Sequence, residues 1–318
     1  MTVKKSIYLA PMVGWSTPLF REFVQVLNKD VITFTEMIVA KSLIYGNQYE
    51  RLRLNSGESN VICQLAGSEP DELKSCLENS AFDNFIEINL NVGCPSTKVQ
   101  KGKMGACLMK NPSLVAECLD AMTESGKKVS VKCRLGVDDQ SFDDLCNFID
   151  TCKKVTGKFY LHARYALLNG INPKQNRSIP KIDYDAAKKV AGLFPDVTFV
   201  LNGEINTDKK ALGFLNECCF EGVMIGRSAY QNPWLFTQLS QESDSIRINR
   251  ISEFLLKLMS SEKRDAEWLR VLSTLTHGMP KAKSMRRDIA ADKNAQLEQY
   301  AQRMLTAIKE RVINQRYL

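Results

Sequence analysis

The sequence predicts an α/β protein: a parallel (β/α)8 barrel over residues 1–240, followed by a small all-helical domain over residues 241–318. Three observations carry this expectation. Short apolar, β-branched runs alternate with helix-length amphipathic stretches as far as residue 235, the pattern that a parallel sheet requires. Eight such runs can be counted, the number that closes a barrel. After Pro233 the strand pattern stops and only helical periodicity continues.

The eight strand candidates are Ile7–Met12, Ile32–Met37, Val61–Ala66, Phe85–Leu90, Val129–Cys133, Phe159–Ala163, Thr198–Leu201 and Gly222–Ile225. Intervening helices have recognisable starts, such as Ser68-Glu-Pro-Asp-Glu before Leu73 and Asn111-Pro-Ser before Leu114, with Pro or acids in the first turn. A doubly wound open sheet would show nearly the same alternation. No Gly-x-Gly-x-x-Gly turn follows any run, so the closed barrel is preferred. The longest irregular stretch, Tyr165 to Tyr184, follows the sixth strand, and long loops at the C-terminal ends of barrel strands normally carry function. Beyond residue 245 the helices expected are Ile251–Met259, Ala266–Leu275, Ala282–Ala290 and Ala295–Val312.

A chain of 318 residues suits a barrel of about 250 residues plus a modest extra unit. With 44% hydrophobic and 25% charged residues it can build a sizeable core, which excludes a disordered chain. No apolar run approaches the roughly 18 residues a membrane helix needs, and the strand-like Ile7–Met12 leaves no room for a signal peptide. A soluble, cytoplasmic monomer is expected. Ten cysteines without a CxxC pair, and only two histidines, His162 and His277, make a metal site unexpected. Nine of the ten read as reduced thiols packed as small apolar side chains. The net charge of +7 is unevenly placed: 15 Lys and Arg against 10 Asp and Glu from Ser240 onward, 28 against 26 before it. A basic surplus in the last quarter of the chain suggests an anionic partner.

Reacting groups in a barrel sit just past the C-terminal ends of the strands. Those positions hold Ala10-Pro11-Met12, Gln64, Asn89-Leu-Asn91-Val-Gly-Cys94-Pro95, Lys132 and Arg134, His162 and Arg164, Asn202-Gly203, and Gly226-Arg227. Glycines with a donor after strands 7 and 8 mark the usual phosphate site of the fold, where backbone N–H groups approach an anion, and Arg227 would add a charged fork. Lys132 alternates with the apolar Val131 and Cys133 and should therefore point into the barrel.

Ala10-Pro-Met, Thr35-Glu-Met, Glu87-Ile-Asn-Leu-Asn-Val-Gly-Cys-Pro95, Val131-Lys-Cys-Arg-Leu-Gly136, His162-Ala-Arg164 and Gly222-Val-Met-Ile-Gly-Arg227 strongly resemble the tRNA-dihydrouridine synthases. The loop Asn172-Pro-Lys-Gln-Asn-Arg-Ser-Ile-Pro180, with Asp183-Tyr184, looks like their bacterial A-type subfamily. The likeness is dense from residue 7 to about 236 and fainter at Gly278–Arg287. It implies an FMN-binding TIM (β/α)8 barrel with FMN held by Pro11, Met12, Gln64, Lys132, His162, Asn202, Gly203, Gly226 and Arg227, NADPH as reductant, and Cys94 as proton donor. The partner implied is tRNA, reduced at D-loop uridines around position 20. In one departure the family pattern has a second glycine after Asn-Gly, where this chain has Glu204; an acid there would repel a phosphate unless it points away.

Reducing the uracil C5=C6 bond adds a hydride at C6 and a proton at C5, and a thiol still mostly protonated at neutral pH suits the proton. Cys94 would alternatively serve as a nucleophile with His162 as its base; a flavin between strands 4 and 6 would occupy that space, which favours the acid. Because the base must leave the RNA stack at a cost of a few kcal/mol, an extended grip is needed elsewhere. Lys281, Lys283, Arg286 and Arg287 on a C-terminal helix, with Lys174 and Arg177 on the strand-6 loop, would contact phosphates, and Asn91 the uridine. Two other readings stay open at this point: an FMN barrel reducing a free pyrimidine or small enone, and a non-catalytic tRNA-binding protein.

Overall fold

The computed structural model describes residues 5–261, 265–277, 279, 282–291 and 297–314. Its strands are β1 (Ser6–Leu9), β2 (Thr33–Val39), β3 (Val61–Ala66), β4 (Glu87–Val92), β5 (Val129–Arg134), β6 (Lys158–His162), β7 (Thr198–Asn202) and β8 (Gly222–Ile225). All pair in parallel in the order β1-β8-β7-β6-β5-β4-β3-β2. The ring closes between its two ends: Tyr8 bridges Ile32, Leu9 N–H donates to Ile32 O at 2.9 Å, and Ile32 N–H donates to Ile7 O at 3.0 Å. All eight expected strands are present.

Side-chain alternation divides the core in two, as a pleated strand requires. Cys63, Leu65, Ile88, Leu90, Val131, Cys133, Phe159, Leu161, Val223 and Ile225 face outward and pack beneath the helices. Tyr8, Ala10, Phe34, Ile62, Tyr160, Val200 and Met224 fill the barrel interior. Gln64, Asn89, Asn91, Lys132, His162 and Asn202 share the parity of the interior set, which points them into the barrel.

Strand ends moved by two or three residues. β1 stops at Leu9 rather than Met12, because Pro11 has no N–H and Met12 turns to hydrogen-bond Ser16. β4 begins at Glu87, after a 3₁₀ turn over Ser80–Asn84 that takes in the residues before Phe85, and it continues to Val92 opposite Cys133. The strand-6 loop is irregular but pinned. Buried Asn176 accepts from Leu167 N–H (2.8 Å) and donates to Leu167 O (2.7 Å), and Arg164 bridges Ile182.

The C-terminal helices run over Asp244–Met259, Ala266–Leu275, Ala282–Ala291 and Leu297–Asn314. The first starts seven residues before the expected Ile251. Its opening turn is polar, so apolar periodicity misses it; Arg247 pairs with Asp244, and Arg250 with Glu242 at 2.6 Å. The first two of these helices bear on the barrel's Pro18–Leu27 helix. Phe23 stacks on Phe254 with centroids 5.6 Å apart, Lys257 pairs with Glu22 at 2.5 Å, and Leu19 N–H donates to Glu267 at 3.0 Å. Among the described residues no helix is long and apolar enough to cross a membrane, and no three His, Cys, Asp or Glu are grouped to hold a metal.

Candidate active site

Cys94 lies on the loop after β4, half-buried against Ala66, Val99, Met104, Met37 and Val39. Its loop is tied at three points. Asn91 Oδ1 accepts from Gly93 N–H (3.2 Å) and Cys94 N–H (3.0 Å), and Cys94 O accepts from Ala106 N–H at 2.9 Å. The last contact needs Gly105: its φ is +75°, and a Cβ there would lie 2.5 Å from Cys94 O. Arg134, 3% exposed, clamps the loop to the strand-6 loop by donating to Gly93 O (2.9 Å), Tyr165 O (3.0 Å) and Asn176 O (3.2 Å).

Burial pushes the Cys94 thiol up from its ordinary range, while a backbone contact at Ser96 and the cations Arg134, Lys132 and Arg177 pull it down. The thiol is therefore protonated at neutral pH, and positive charge stands ready for a thiolate. Lys132 points inward as expected and donates from Nζ to Asn202 Oδ1 across the barrel at 3.2 Å. Burial first, and Arg134 second, lower its pKa to about 8. His162 is held well below its usual value, chiefly by burial and then by Arg134, Lys132, Arg164 and Arg227. It is neutral at pH 7.

Asn202 is anchored by donating to Met224 O at 2.8 Å. Gly203 has φ +127°, and a Cβ would meet Ile182 Cδ1 at 2.5 Å and His162 Cδ2 at 3.1 Å, so only glycine fits. Tyr184 OH holds the same turn by donating to Gly203 O at 2.7 Å. Gly226 follows β8, and Arg227, half-buried, donates to Arg177 O at 3.1 Å, joining the phosphate-type corner to the strand-6 loop. Glu204 sits at φ +48° and gives its carboxylate to buried Arg164. A left-handed backbone explains why glycine suits this position, and the ion pair turns the acid onto a cation.

Other expected residues fall in different places. Pro11 and Met12 are half-buried at the end of β1. Gln64 is fully buried, with Nε2 donating to Asn89 and Oε1 accepting from Asn91, each at 2.8 Å, so its amide meets its neighbours rather than the open mouth. Asn91, 7% exposed, likewise gives its amide to Gln64 and the Cys94 loop. Lys174 and Arg177 are exposed on the strand-6 loop. Lys283 and Arg287 are exposed, but Arg286 is half-buried and donates to Thr276 Oγ1 at 3.1 Å. Lys281 lies outside the described residues.

Sequence reasoning noticed Arg134 on its strand without giving it a site role, and it missed the buried residues beneath the mouth, Glu87, Asn89 and Ser130. Their parity with Asn91 and Lys132 was the available signal.

Comparison with known proteins is consistent along the chain. The family model described as dihydrouridine synthase matches residues 8–316. A tRNA-dihydrouridine(20/20a) synthase of Shewanella oneidensis is 40% identical over 240 residues, 74% of this chain and 71% of that one. One of Vibrio vulnificus is 37% identical over 303 residues, 91% of this chain and 92% of its own. A 2-naphthoyl-CoA reductase structure aligns with TM-score 0.56 at 10% identity, over 74% of this chain and 50% of that chain, a likeness of fold alone. The strand-end motifs, the barrel that gathers them and these matches agree: the chain belongs to the dihydrouridine synthase family.

Proposed function

We propose that this chain reduces the C5=C6 bond of uridines in tRNA, at D-loop positions around 20, using FMN and electrons from NADPH. The observation that carries the reading is the pairing of a half-buried, protonated Cys94 with a cation-rich mouth. Lys132, Arg134, Arg164, Arg177 and Arg227 converge there, and Glu204 is tied to Arg164. Among the described residues Lys132 has an amide and no carboxylate for a partner, so its depressed pKa invites an anionic group. The side-chain-free turn at Gly203 is a cradle that a Cβ would fill. Both fit an FMN, whose ring would be held by Pro11, Met12, Gln64, Lys132, His162 and Asn202 and whose phosphate would be held by Gly203, Gly226 and Arg227.

A bound flavin, reduced by NADPH, would supply the hydride equivalent for uracil C6. Cys94 supplies the proton for C5; its S–H bond breaks, and the thiolate left behind is stabilised by Lys132, Arg134 and Arg177. Val99 and Met104 pack against the Cys94 side chain. Neutral His162 acts as a contact, not as a base. Residues 1–240 would do this chemistry, and residues 241–318, with Lys174 and Arg177, would grip the tRNA, in a cytoplasmic monomer.

The test is Cys94→Ala. It should keep the yellow flavin spectrum yet lose turnover by about 10²–10⁴, measured as dihydrouridine formed in tRNA. Undiminished product would remove the acid assignment, and NADPH oxidation that tRNA does not stimulate would favour a free pyrimidine or enone as substrate.

A further inference from the structure

An unbroken file of hydrogen bonds runs up the barrel interior from its floor to the Cys94 loop. At the floor the Glu87 carboxylate accepts from Lys158 Nζ (3.1 Å), Tyr160 OH (2.9 Å) and Ser130 Oγ (2.6 Å). Ser130 Oγ accepts from Asn89 Nδ2 at 2.8 Å, Asn89 Oδ1 from Gln64 Nε2 at 2.8 Å, and Gln64 Oε1 from Asn91 Nδ2 at 2.8 Å. Asn91 Oδ1 then accepts the N–H groups of Gly93 and Cys94. Glu87, Ser130, Asn89, Gln64 and Asn91 are all at least nine-tenths buried.

Oxygen and nitrogen ends of an amide are assigned from such networks, and here both ends dictate the same answer. Both Glu87 oxygens accept, one from Lys158 and the other from Tyr160, so Ser130 gives its proton downward and takes one from an NH2 group above. Each amide in turn must present its oxygen upward. At the top, backbone N–H groups can only donate, so they too require the Asn91 oxygen. Turning any one amide over would set NH2 against NH2 or oxygen against oxygen in a dry interior, leaving unpaired groups at two junctions.

We propose that Glu87, Ser130 and Asn89 are positioning residues for the reaction: through Gln64 they lock the Asn91 amide oxygen under the Cys94 backbone and so fix where the thiol stands. The inference rests on Cys94 as the proton donor, but the lock itself can be measured without flavin or tRNA. Ser130→Ala removes the hydroxyl and cuts the file far from the sulfur; Asn89→Leu cuts it one link higher with similar volume; Ser130→Thr restores the hydroxyl.

Amide hydrogen exchange at Gly93 and Cys94 in the flavin-free protein should quicken about five- to tenfold in Ser130→Ala, the worth of one net hydrogen bond. Exchange in β7 should not change, and Ser130→Thr should return the loop to its original rate. Turnover on tRNA should fall by a similar factor in kcat, with KM and flavin affinity little altered. Unchanged loop exchange in whichever of Ser130→Ala and Asn89→Leu folds would overturn the lock. Faster exchange with undiminished kcat would overturn its part in catalysis. Failure of the acid assignment is read separately, from Cys94→Ala.

Discussion

Lys132 is a cation whose surroundings favour its neutral form. Its pKa of about 8 in the folded chain lies below the ordinary 10.5, so the unfolded chain holds this proton more tightly. The cost of folding with Lys132 charged is therefore full below pH 8 and is relieved as pH rises from about 8 to 10.5. Its size is at most about 3–4 kcal/mol, less what solvent at the mouth screens. Lys132→Met should thus stabilise the flavin-free protein against urea at pH 7, and the gain should shrink towards pH 10. A variant less stable than the parent at pH 7 would show that the lysine stem contributes more packing than its charge costs. The inward direction of Lys132 was legible from strand alternation alone. The contacts of Gln64 and Asn91 were not, because a single strand's parity says which way an amide points but not which amide on the next strand it meets.

At the scale of elements, the strand-6 loop and the Ala282–Ala291 helix divide the basic surface. The loop's backbone is held by Arg134, Asn176 and Arg227, which leaves Lys174 and Arg177 exposed. On the helix, Lys283 and Arg287 are exposed while Arg286 holds Thr276. Affinity for tRNA should fall linearly in log–log plots against salt, and the Lys283→Ala, Arg287→Ala double variant should lessen the slope by up to about 2. Arg286→Ala should lower stability as well. An unaltered slope in the double variant would take these two residues out of the interface. Charge clustering pointed to this helix, but it could not show that Arg286 turns inward onto Thr276, since a guanidinium serves a phosphate or an internal hydroxyl equally well.

For the whole molecule, eight strands and four late helices were readable because burial imposes one period on strands and another on helices. What the late helices rest upon was not readable: an amphipathic face announces that it will be buried, not against what. For the first two of them the answer is the Pro18–Leu27 helix, with Phe254 on Phe23 and Arg250 on Val26 O at 2.8 Å. Phe254→Ala should cost about 3–5 kcal/mol and lower a single melting transition shared by near- and far-ultraviolet dichroism. Two separated transitions would mean that the helical segment melts on its own.

That attachment has a consequence for how the cask is hooped. The joint between the first and second staves carries the fewest rungs of any in the ring, one bridge and its two backbone bonds. The Pro18–Leu27 helix spans that joint, running from one stave to the next, and the late helices lean on its outer side. The segment proposed to hold nucleic acid would therefore also strap the thinnest joint of the vessel in which the chemistry would take place.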